Sequence, residues 1–397
     1  MARQTLATLL MILTVVVTDH GQLRPDPARL ALTSPELLKE LKTDPFDYLR
    51  FINRPWVARV CEVFNGDLHD QPAVRLHGDA HIEQFAVSTD AWGLDDFDDS
   101  ARGPALIDIV RFLGSVELVT RERKWTRGRD AVFVRFLAGY KRGLLQPDYR
   151  PPAPDLVRHL RAKSPGTRTA FLAWGESKMQ PMEEASTRAV MAGMAALAPL
   201  LRKERPDLSP DYFQIVRAGW LRMGIGSAIS KKILVRVQGP SVDPADDELI
   251  EAKPAGHLYG LSCLDSHASG TVLRVIAGNR QLGRMKHKIL AVGPKLAIPE
   301  VVVRGEELGD WWIRSWDPSY REVHISDLRS VRDLDEIAFD AGVQLGAGSL
   351  SEESGERGSA IRRQAGDAIA RIETRIRKET IEMVDELMRG WNELRKQ

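Results

Sequence analysis

Apolar residues recur at helical spacing along much of the chain. In residues 106–121, for example, Ile109 and Phe112 fall on one stripe. Such a stripe predicts an amphipathic helix that packs against a core. Ser34 followed by Pro35 is typical of a helix start, because Ser caps free backbone N–H groups and Pro suits the first turn. Further helices are predicted over residues 55–64, 130–145, 182–201, 272–290, 334–345 and 358–395.

Short apolar runs bounded by turn residues predict strands in the rest of the chain. Residues 85–87 and 92–94 are two such runs, and the polar turn between them predicts a tight β-hairpin. A third run, residues 73–76, precedes the hairpin. Strands predominate after residue 222, where they are predicted at residues 232–238, 248–253, 300–304 and 311–316. The pattern as a whole predicts an α+β chain.

The first 33 residues differ from the rest of the chain. Arg3 precedes an apolar run over residues 6–17, whose length suits a secretory signal segment and is too short for a membrane span. The Pro-rich stretch 21–33 is typical of a linker. An apolar helix packed on the domain explains the same run, so a cytoplasmic location and export through a signal segment both stay open. Membrane contact is expected only through this segment, where it is not cleaved.

Composition adds limits on partners and compartment. The chain is 43% hydrophobic and 28% charged, which is typical of a globular protein. Its net charge of +1 gives no electrostatic basis for nucleic acid as the main partner. The two cysteines, Cys61 and Cys263, are too few for a disulfide framework or a zinc cluster, and they fit either a reducing compartment or an exported protein.

The densest group of chemically useful side chains spans residues 77–111. His77, Asp79 and His81 follow the predicted strand 73–76, and a second acidic group follows the hairpin. Because a hairpin brings its two ends together, Asp79 and this second group are expected to share one site. Five carboxylates so close together repel one another unless a cation lies among them, which predicts a metal site. The second group, named here the acidic loop, consists of Asp95, Asp96, Asp98 and Asp99.

Two segments, HGDAHIEQF and GPALIDIVR, resemble the catalytic centre of kinase-like phosphotransferases, especially the aminoglycoside phosphotransferase branch. In that branch the HGD loop supplies a base for the acceptor hydroxyl, and an Asp after the next hairpin binds magnesium. The match implies Asp79 as base or orienting carboxylate and Asp96 as magnesium ligand. It also implies that Asp108 caps a helix and braces the catalytic loop. The branch has a further magnesium ligand, an Asn, where this chain has Gln84.

The same resemblance implies roles for neighbouring polar residues. His77 and His81 are expected to hold the loop by hydrogen bonds, and His81 is also a candidate for substrate contact. Asp98 and Asp99 are both candidates to share the metal, with one of the two expected to be only solvated, and Gln84 is expected to offer its amide oxygen to the metal. Arg111 is expected to pair with an acid of the acidic loop.

A closer resemblance is to a family of uncharacterised bacterial proteins with GDAH-x-x-NF and NDFDE motifs and an upstream PFAFLRG pattern, which residues 45–50 (PFDYLR) echo. In this family the large-lobe motifs precede the small lobe, the reverse of ordinary kinases. The resemblance therefore implies a two-lobed, protein-kinase-like fold in circularly permuted order. The implied division is a candidate signal segment and linker at residues 1–33, a helical large lobe at 34–215, a small β-rich nucleotide-binding lobe at 216–330 and C-terminal helices at 331–397.

The nucleotide is expected at the start of the small lobe. There the stretch MGIGSA contains Gly224, Gly226 and Ser227, and glycines let backbone N–H groups approach phosphates closely. Lys253 on a following strand resembles the lysine that neutralises phosphates in kinases. Kinases pair that lysine with a helical Glu, yet residues 271–290 contain no acid. Either another acid orients Lys253 or the nucleotide site is degraded.

Three functions are compatible with these motifs. The first is a kinase-like phosphotransferase that uses ATP and Mg²⁺ on a hydroxyl of an unidentified small molecule or protein. The second is a pseudokinase-like protein that binds nucleotide with little turnover, which Gln84 and the missing helical acid favour. The third is a metal-dependent phosphoesterase built on His77, Asp79 and His81. A two-metal hydrolase usually needs further His or Asn ligands, and the nine histidines include no second closely spaced pair, so this function ranks last.

Overall fold

The computed structural model describes residues 23, 34–69, 71–162, 167–204, 211–223, 232–256, 258, 260–265, 272–293, 296 and 311–396. These residues form a mixed α+β fold, as the sequence pattern predicts. The helices are α1 (Pro35–Leu41), α2 (Pro45–Phe51), α3 (Asn53–Val63), α4 (Asn65–Leu68), α5 (Leu106–Glu122), α6 (Arg129–Leu145), α7 (Asp155–Ala162), α8 (Arg168–Ser177), α9 (Glu184–Glu204), α10 (Leu273–Leu282), α11 (Val331–Ser349), α12 (Gly355–Arg371) and α13 (Glu373–Lys396). The strands are β1 (Ala73–Leu76), β2 (Phe85–Val87), β3 (Trp92–Leu94), β4 (Ala101–Pro104), β5 (Met179–Gln180), β6 (Ile215–Leu221), β7 (Lys232–Val237), β8 (Glu248–Pro254), β9 (Leu290–Val292), β10 (Trp311–Ser315) and β11 (Arg321–Glu322). No helix in these ranges is long and apolar enough to cross a membrane.

Most of the helices pack into one hydrophobic core. Helix α5 lies inside it, and every residue from 106 to 120 is buried. Helices α6 and α11 approach each other closely, because glycines face the partner's backbone where they cross. A Cβ at Gly139 would collide with the carbonyl oxygen of Phe339, and a Cβ at Gly342 with that of Phe136. Glycines at these positions therefore allow the short distance between the two helices.

A second core lies on one face of a six-stranded antiparallel sheet with the strand order β5-β6-β7-β8-β10-β9. Successive residues of a strand point to opposite faces of the sheet. On the first face, Ile233 and Ala252 pack with Val190 of α9. The helix predicted over residues 182–201 therefore contributes to the core of this sheet. The opposite face carries charged side chains toward the acidic loop.

Two small sheets position the residues of the predicted site. Strand β1 pairs with β4 in antiparallel register, with Leu76 opposite Ala101. Strands β2 and β3 form the predicted hairpin, and β11 adds to its edge. The residues after β1 and those before β4 therefore leave the sheet side by side. This topology brings residues 77–79 next to the acidic loop.

In the region after β8, one helix is shorter than predicted. The helix predicted over residues 272–290 ends at Leu282, because Gly283 takes an extended conformation, and the chain then forms β9. The strand predicted at residues 300–304 lies outside the described residues. The kinase-like topology, its permuted order and the domain boundaries stay predictions.

Cys61 and Cys263 form a disulfide bond that joins α3 to the segment after β8. Their Cα atoms are 5.7 Å apart, although the two residues are separated by 202 positions in the sequence. Two cysteines do not build a framework of several bridges, but this pair closes one long loop.

Loss of this bond should lower the free energy of unfolding by about 2–5 kcal/mol, because the bond restricts the unfolded chain. We expect this difference between the oxidised protein and a Cys61→Ser/Cys263→Ser variant in urea-induced unfolding. A Cys61→Ser single variant is the matched control and should behave like the double variant. Equal unfolding free energies for the oxidised protein and the double variant would show that the bond does not stabilise the fold.

Candidate functional site

The loop after β1 is held in place by Asp108 in the first turn of α5. One oxygen of Asp108 accepts a hydrogen bond from the His77 N–H at 2.7 Å, and the other accepts one from the Gly78 N–H at 2.8 Å. Gly78 has a φ of 87°, and a Cβ there would collide with the Asp99 carbonyl oxygen, so glycine is required. Burial raises the pKa of Asp108 to about 6, against the effect of His77 and the two N–H donors.

The Asp79 carboxylate is fixed by three neighbours. One oxygen accepts a hydrogen bond from Arg111 at 2.8 Å. The other accepts one from the Gln84 amide at 3.2 Å and lies 3.5 Å from His81 Nε2. Burial disfavours the charged form, but Arg111 and His81 outweigh it and hold the pKa of Asp79 below its usual range. The carboxylate is therefore ionised and fixed in direction.

Arg111 is fully buried, and its partner differs from the predicted one. Besides Asp79, its guanidinium donates to the Leu49 carbonyl at 2.9 Å and lies 5.9 Å from the ring centre of Trp56. The prediction that Arg111 pairs with the acidic loop is wrong. The reason is that α5 runs beside the loop after β1, so its second turn faces Asp79.

The two histidines of the loop have different surroundings. His77 Nδ1 accepts a hydrogen bond from the Asp79 N–H at 3.2 Å, and Nε2 donates to the Asp95 carbonyl at 2.8 Å. Both ring nitrogens are thus used to tie the Asp79 loop to the acidic loop. His81 is buried edge-on against Phe46, with ring centres 5.6 Å apart. Burial lowers the pKa of His81, so the ring is neutral at pH 7.

Lys253 reaches from the sheet to the acidic loop. Its ammonium contacts the carboxylates of both Asp96 and Asp98, the latter at 2.8 Å, and the side chain is fully buried. The motif order predicts Lys253 beside Asp96, and the structure has this contact between residues 157 positions apart. These two acids thus orient Lys253, where kinases use a Glu on a helix.

The pKa values of Asp96 and Asp98 are shifted in opposite directions, although both side chains contact Lys253. Burial favours the neutral form of each. For Asp96, Lys253 and Lys232 outweigh burial and lower its pKa well below the usual range. For Asp98, burial and the ionised Asp96 prevail and raise its pKa to about 7. Asp96 also has a φ of 63°, in the left-handed region that Asp adopts more readily than most residues other than glycine.

Asp96 and Asp98 are the residues best placed to hold a cation. In the described part of the structure, Asp98 Oδ1 is buried and has no hydrogen-bond partner. Such an oxygen is costly to bury, and a cation would satisfy it. No group of three or more His, Cys, Asp or Glu side chains among the described residues is arranged to hold a metal by itself. Mg²⁺ often takes only one or two protein carboxylates and completes its shell with water and phosphate oxygens, so this pair of carboxylates is chemically compatible with it.

Asp95 is bound to the sheet by Arg314 of β10. The Arg314 guanidinium lies 2.9 Å from Asp95 and 2.8 Å from Glu251 of β8, and all three side chains are buried. Lys253 and Arg314 outweigh burial and lower the pKa of Glu251 to about 2. Sequence reasoning missed Arg314 and Glu251. The available signal was a charged residue at alternate positions of otherwise apolar strands.

Asn53 at the start of α3 positions both halves of the site. Its side-chain amide donates to the Gly78 carbonyl at 3.0 Å and to the Asp99 carboxylate at 2.8 Å. Burial and the nearby Asp79 raise the pKa of Asp99. No motif singled out Asn53, because it lies 25 residues before Gly78 in an ordinary helical pattern.

Arg274 of α10 supports the acidic loop from the other side. Its guanidinium donates to the backbone carbonyls of Asp98, Ser100 and Gly256. α10 is the helix in which the kinase resemblance implies a Glu for Lys253. Here the helix contributes a cation that fixes the backbone of the loop.

The predicted site residues thus form two adjoining groups. The first surrounds Asp79 and contains His77, His81, Gln84, Asp108 and Arg111; the second contains Asp96, Asp98 and Lys253. Gly224, Gly226 and Ser227, predicted to bind the nucleotide, lie outside the described residues.

Comparisons with known proteins give one match. No curated protein and no solved structure matches the chain. Residues 34–153 match the profile of a family described as an uncharacterized protein conserved in bacteria, DUF2252. The matched region runs from the start of α1 to just beyond α6 and includes the Asp79 loop and the acidic loop. In this region, the chain is therefore similar to DUF2252 proteins.

Proposed function

We propose that the protein is a kinase-like phosphotransferase with its two lobes in circularly permuted order, which transfers a phosphoryl group from ATP with Mg²⁺ to an acceptor hydroxyl. The observation that carries this proposal is the contact of Lys253 with Asp96 and Asp98 beside the Asp79 loop. Phosphoryl transfer depends on positioning and charge neutralisation, and needs cations for the phosphates, carboxylates for the metal and a carboxylate for the acceptor. In this protein, Lys253 contacts Asp96 and Asp98, and His77 ties their loop to the loop that carries Asp79.

Asp96 and Asp98 are the residues that would hold Mg²⁺. When bound, Mg²⁺ orients the phosphates and neutralises their charge. Carboxylates bind a metal in their ionised form. Because burial and Asp96 raise the pKa of Asp98 to about 7, the proposal implies that metal affinity increases as the pH rises through 7.

Asp79 would orient the acceptor hydroxyl and receive its proton as the new O–P bond forms, while the bond from the γ-phosphorus to the β–γ bridging oxygen breaks and ADP leaves. Arg111 and Gln84 fix the direction of the carboxylate. Its low pKa suits an orienting role, since phosphoryl transfer through a loose transition state needs little early proton removal. Asp108 would act indirectly, by holding the backbone on which Asp79 stands.

A nucleotide-binding protein with little turnover is the second candidate. The contact of Arg111 with Asp79 favours it, because a carboxylate oxygen bound by a buried guanidinium is less available to a hydroxyl. Gln84 in place of the kinase-like Asn favours it as well. The phosphoesterase hypothesis has less support, since both ring nitrogens of His77 are occupied by the two loops and cannot bind a metal.

The disulfide bears on where such a reaction takes place. Disulfides persist mainly in oxidising compartments, whereas the reducing cytoplasm contains the ATP. Under the proposal, the enzyme would work where ATP is available, and the bond between Cys61 and Cys263 would persist only where the compartment is oxidising.

The proposal is tested by calorimetric titration of ATP into the protein with and without Mg²⁺. We expect ATP to bind more tightly with Mg²⁺ than without it. Asp96→Asn should reduce this Mg²⁺-dependent increase in affinity at least tenfold, about the value of one charge-assisted contact. The matched control is Asp99→Asn, which should have little effect because burial already favours the neutral form of Asp99. Absence of ATP binding in the wild type would refute both nucleotide-dependent functions. Equal losses in the two variants would show that Asp96 is not the metal ligand.

A further inference from the structure

Lys232 lies directly across from Lys253 on the neighbouring strand. In the antiparallel pairing of β7 with β8, Ile233 is opposite Ala252, so the next pair in register is Lys232 and Lys253. Ile233 and Ala252 are both in the core on the α9 side of the sheet. Because successive residues alternate between faces, Lys232 and Lys253 both point to the opposite face, toward the acidic loop.

The two lysines differ in how far they are available to a ligand. The Lys253 ammonium is buried between Asp96 and Asp98 and lies 4.9 Å from the ring centre of Trp312. Its charge is already balanced by these two carboxylates. Lys232 is only half-buried. The Lys232 side chain therefore keeps some exposure to solvent, whereas that of Lys253 has none.

The charge of Lys232 acts on the same groups as that of Lys253. Next to Lys253, it is the strongest influence that lowers the pKa of Asp96 against burial. It also opposes the rise in the pKa of Asp98 that burial and Asp96 cause, and it helps to lower that of Glu251. These effects are those of a positive charge on the side of the sheet that faces the acidic loop. They agree with the position that the strand register gives it.

We propose that Lys232 binds the phosphate chain of the nucleotide, and that Lys253 instead positions Asp96 and Asp98. The proposal rests on the function proposed above and divides between two residues a role that kinases give to one lysine. Its ligand is a polyphosphate, because a half-buried lysine beside the two carboxylates that would hold Mg²⁺ suits an anion that arrives together with Mg²⁺.

The test is calorimetric titration of Mg²⁺-ATP and of Mg²⁺ with inorganic tripolyphosphate into wild type, Lys232→Met and Lys232→Arg. We expect Lys232→Met to raise the Kd for both ligands at least tenfold, because a charge-assisted contact is lost. Lys232→Arg keeps the charge and should stay within about threefold of wild type. The matched control is Lys288→Met, since the exposed Lys288 pairs with Glu248 on a different part of the sheet.

The outcomes separate this inference from the function it rests on. If the wild type binds Mg²⁺-ATP and Lys232→Met binds it with the same affinity, the proposed role of Lys232 is overturned. The proposed function then still stands. Equal losses of affinity in Lys232→Met and Lys232→Arg would show that the shape of the side chain matters and its charge does not. This result would also overturn the role of Lys232. Wild type that binds neither ligand refutes the proposed function and this inference together.

Discussion

Replacing Asp79 with alanine should reduce phosphoryl transfer by about 10²–10⁴-fold while leaving ATP affinity within about twofold of wild type. The reason is geometric. The Asp79 carboxylate is held by Arg111 and Gln84 on the loop after β1, whereas Asp96 and Asp98, with Mg²⁺, and Lys232 would hold the nucleotide. Loss of the carboxylate removes the group that orients the acceptor and leaves the phosphate contacts in place. The measurement is kcat with an acceptor panel, beside a calorimetric Kd for Mg²⁺-ATP.

Asp90→Ala is the matched control for this change, because Asp90 is an exposed carboxylate at the tip of the same hairpin. Asp90→Ala should leave both kcat and the Kd for Mg²⁺-ATP unchanged. Asp79→Ala with wild-type turnover would place the acceptor elsewhere. Wild type that binds ATP but transfers phosphate to no acceptor would instead favour the nucleotide-binding protein. In that case Arg111 and Asp79 form a structural pair.

The local geometry of the site could be predicted from the sequence. The strand at residues 73–76 and the hairpin strands at 85–87 and 92–94 have the predicted bounds, since short apolar runs between turn residues leave few alternatives. That hairpin places Asp79 near the acidic loop. The order of motifs predicts Lys253 over the cleft that contains Asp79 and Asp96, and the contact with Asp96 is consistent with it. Periodicity alone cannot pair residues so far apart.

The supporting residues could not be predicted, because each acts through a tertiary contact. Arg314 reaches Asp95 across 219 positions, and Arg274 reaches the Asp98 carbonyl across 176. In the sequence both look like ordinary strand and helix residues. The partner of Arg111 was predicted wrongly for the same reason. Both Asp79 and the acidic loop were possible partners, and only the packing of α5 decides between them.

Replacing Lys253 with methionine should lower the free energy of unfolding by about 3–5 kcal/mol at pH 8, since it leaves the carboxylates of Asp96 and Asp98 buried without their shared cation. Methionine keeps the unbranched shape of the stem beside Trp312, so the loss reports mainly on charge. The measurement is urea-induced unfolding. Restoring the charge balance with Asp96→Asn in the Lys253→Met background should recover part of the loss, as expected for a directly coupled pair.

The loss of unfolding free energy in Lys253→Met should also depend on pH. Its direction follows from the pKa shifts of Asp96 and Asp98. The lowered pKa of Asp96 in the wild type contributes stability above its unfolded value of 3.8, and replacing Lys253 removes the largest of the influences that lower it, leaving those of Lys232 and Arg314. The pKa of Asp98, already about 7, would rise further, so its ionisation at pH 8 would oppose folding more strongly. Lys253 itself stays charged from pH 5 to 8 in both states, because burial is outweighed by Asp96 and Asp98 and its pKa is raised above 10.5. The difference between wild type and Lys253→Met should therefore grow from pH 5 to pH 8. A difference that is constant or shrinks over this range would show that Lys253 does not neutralise the two acids.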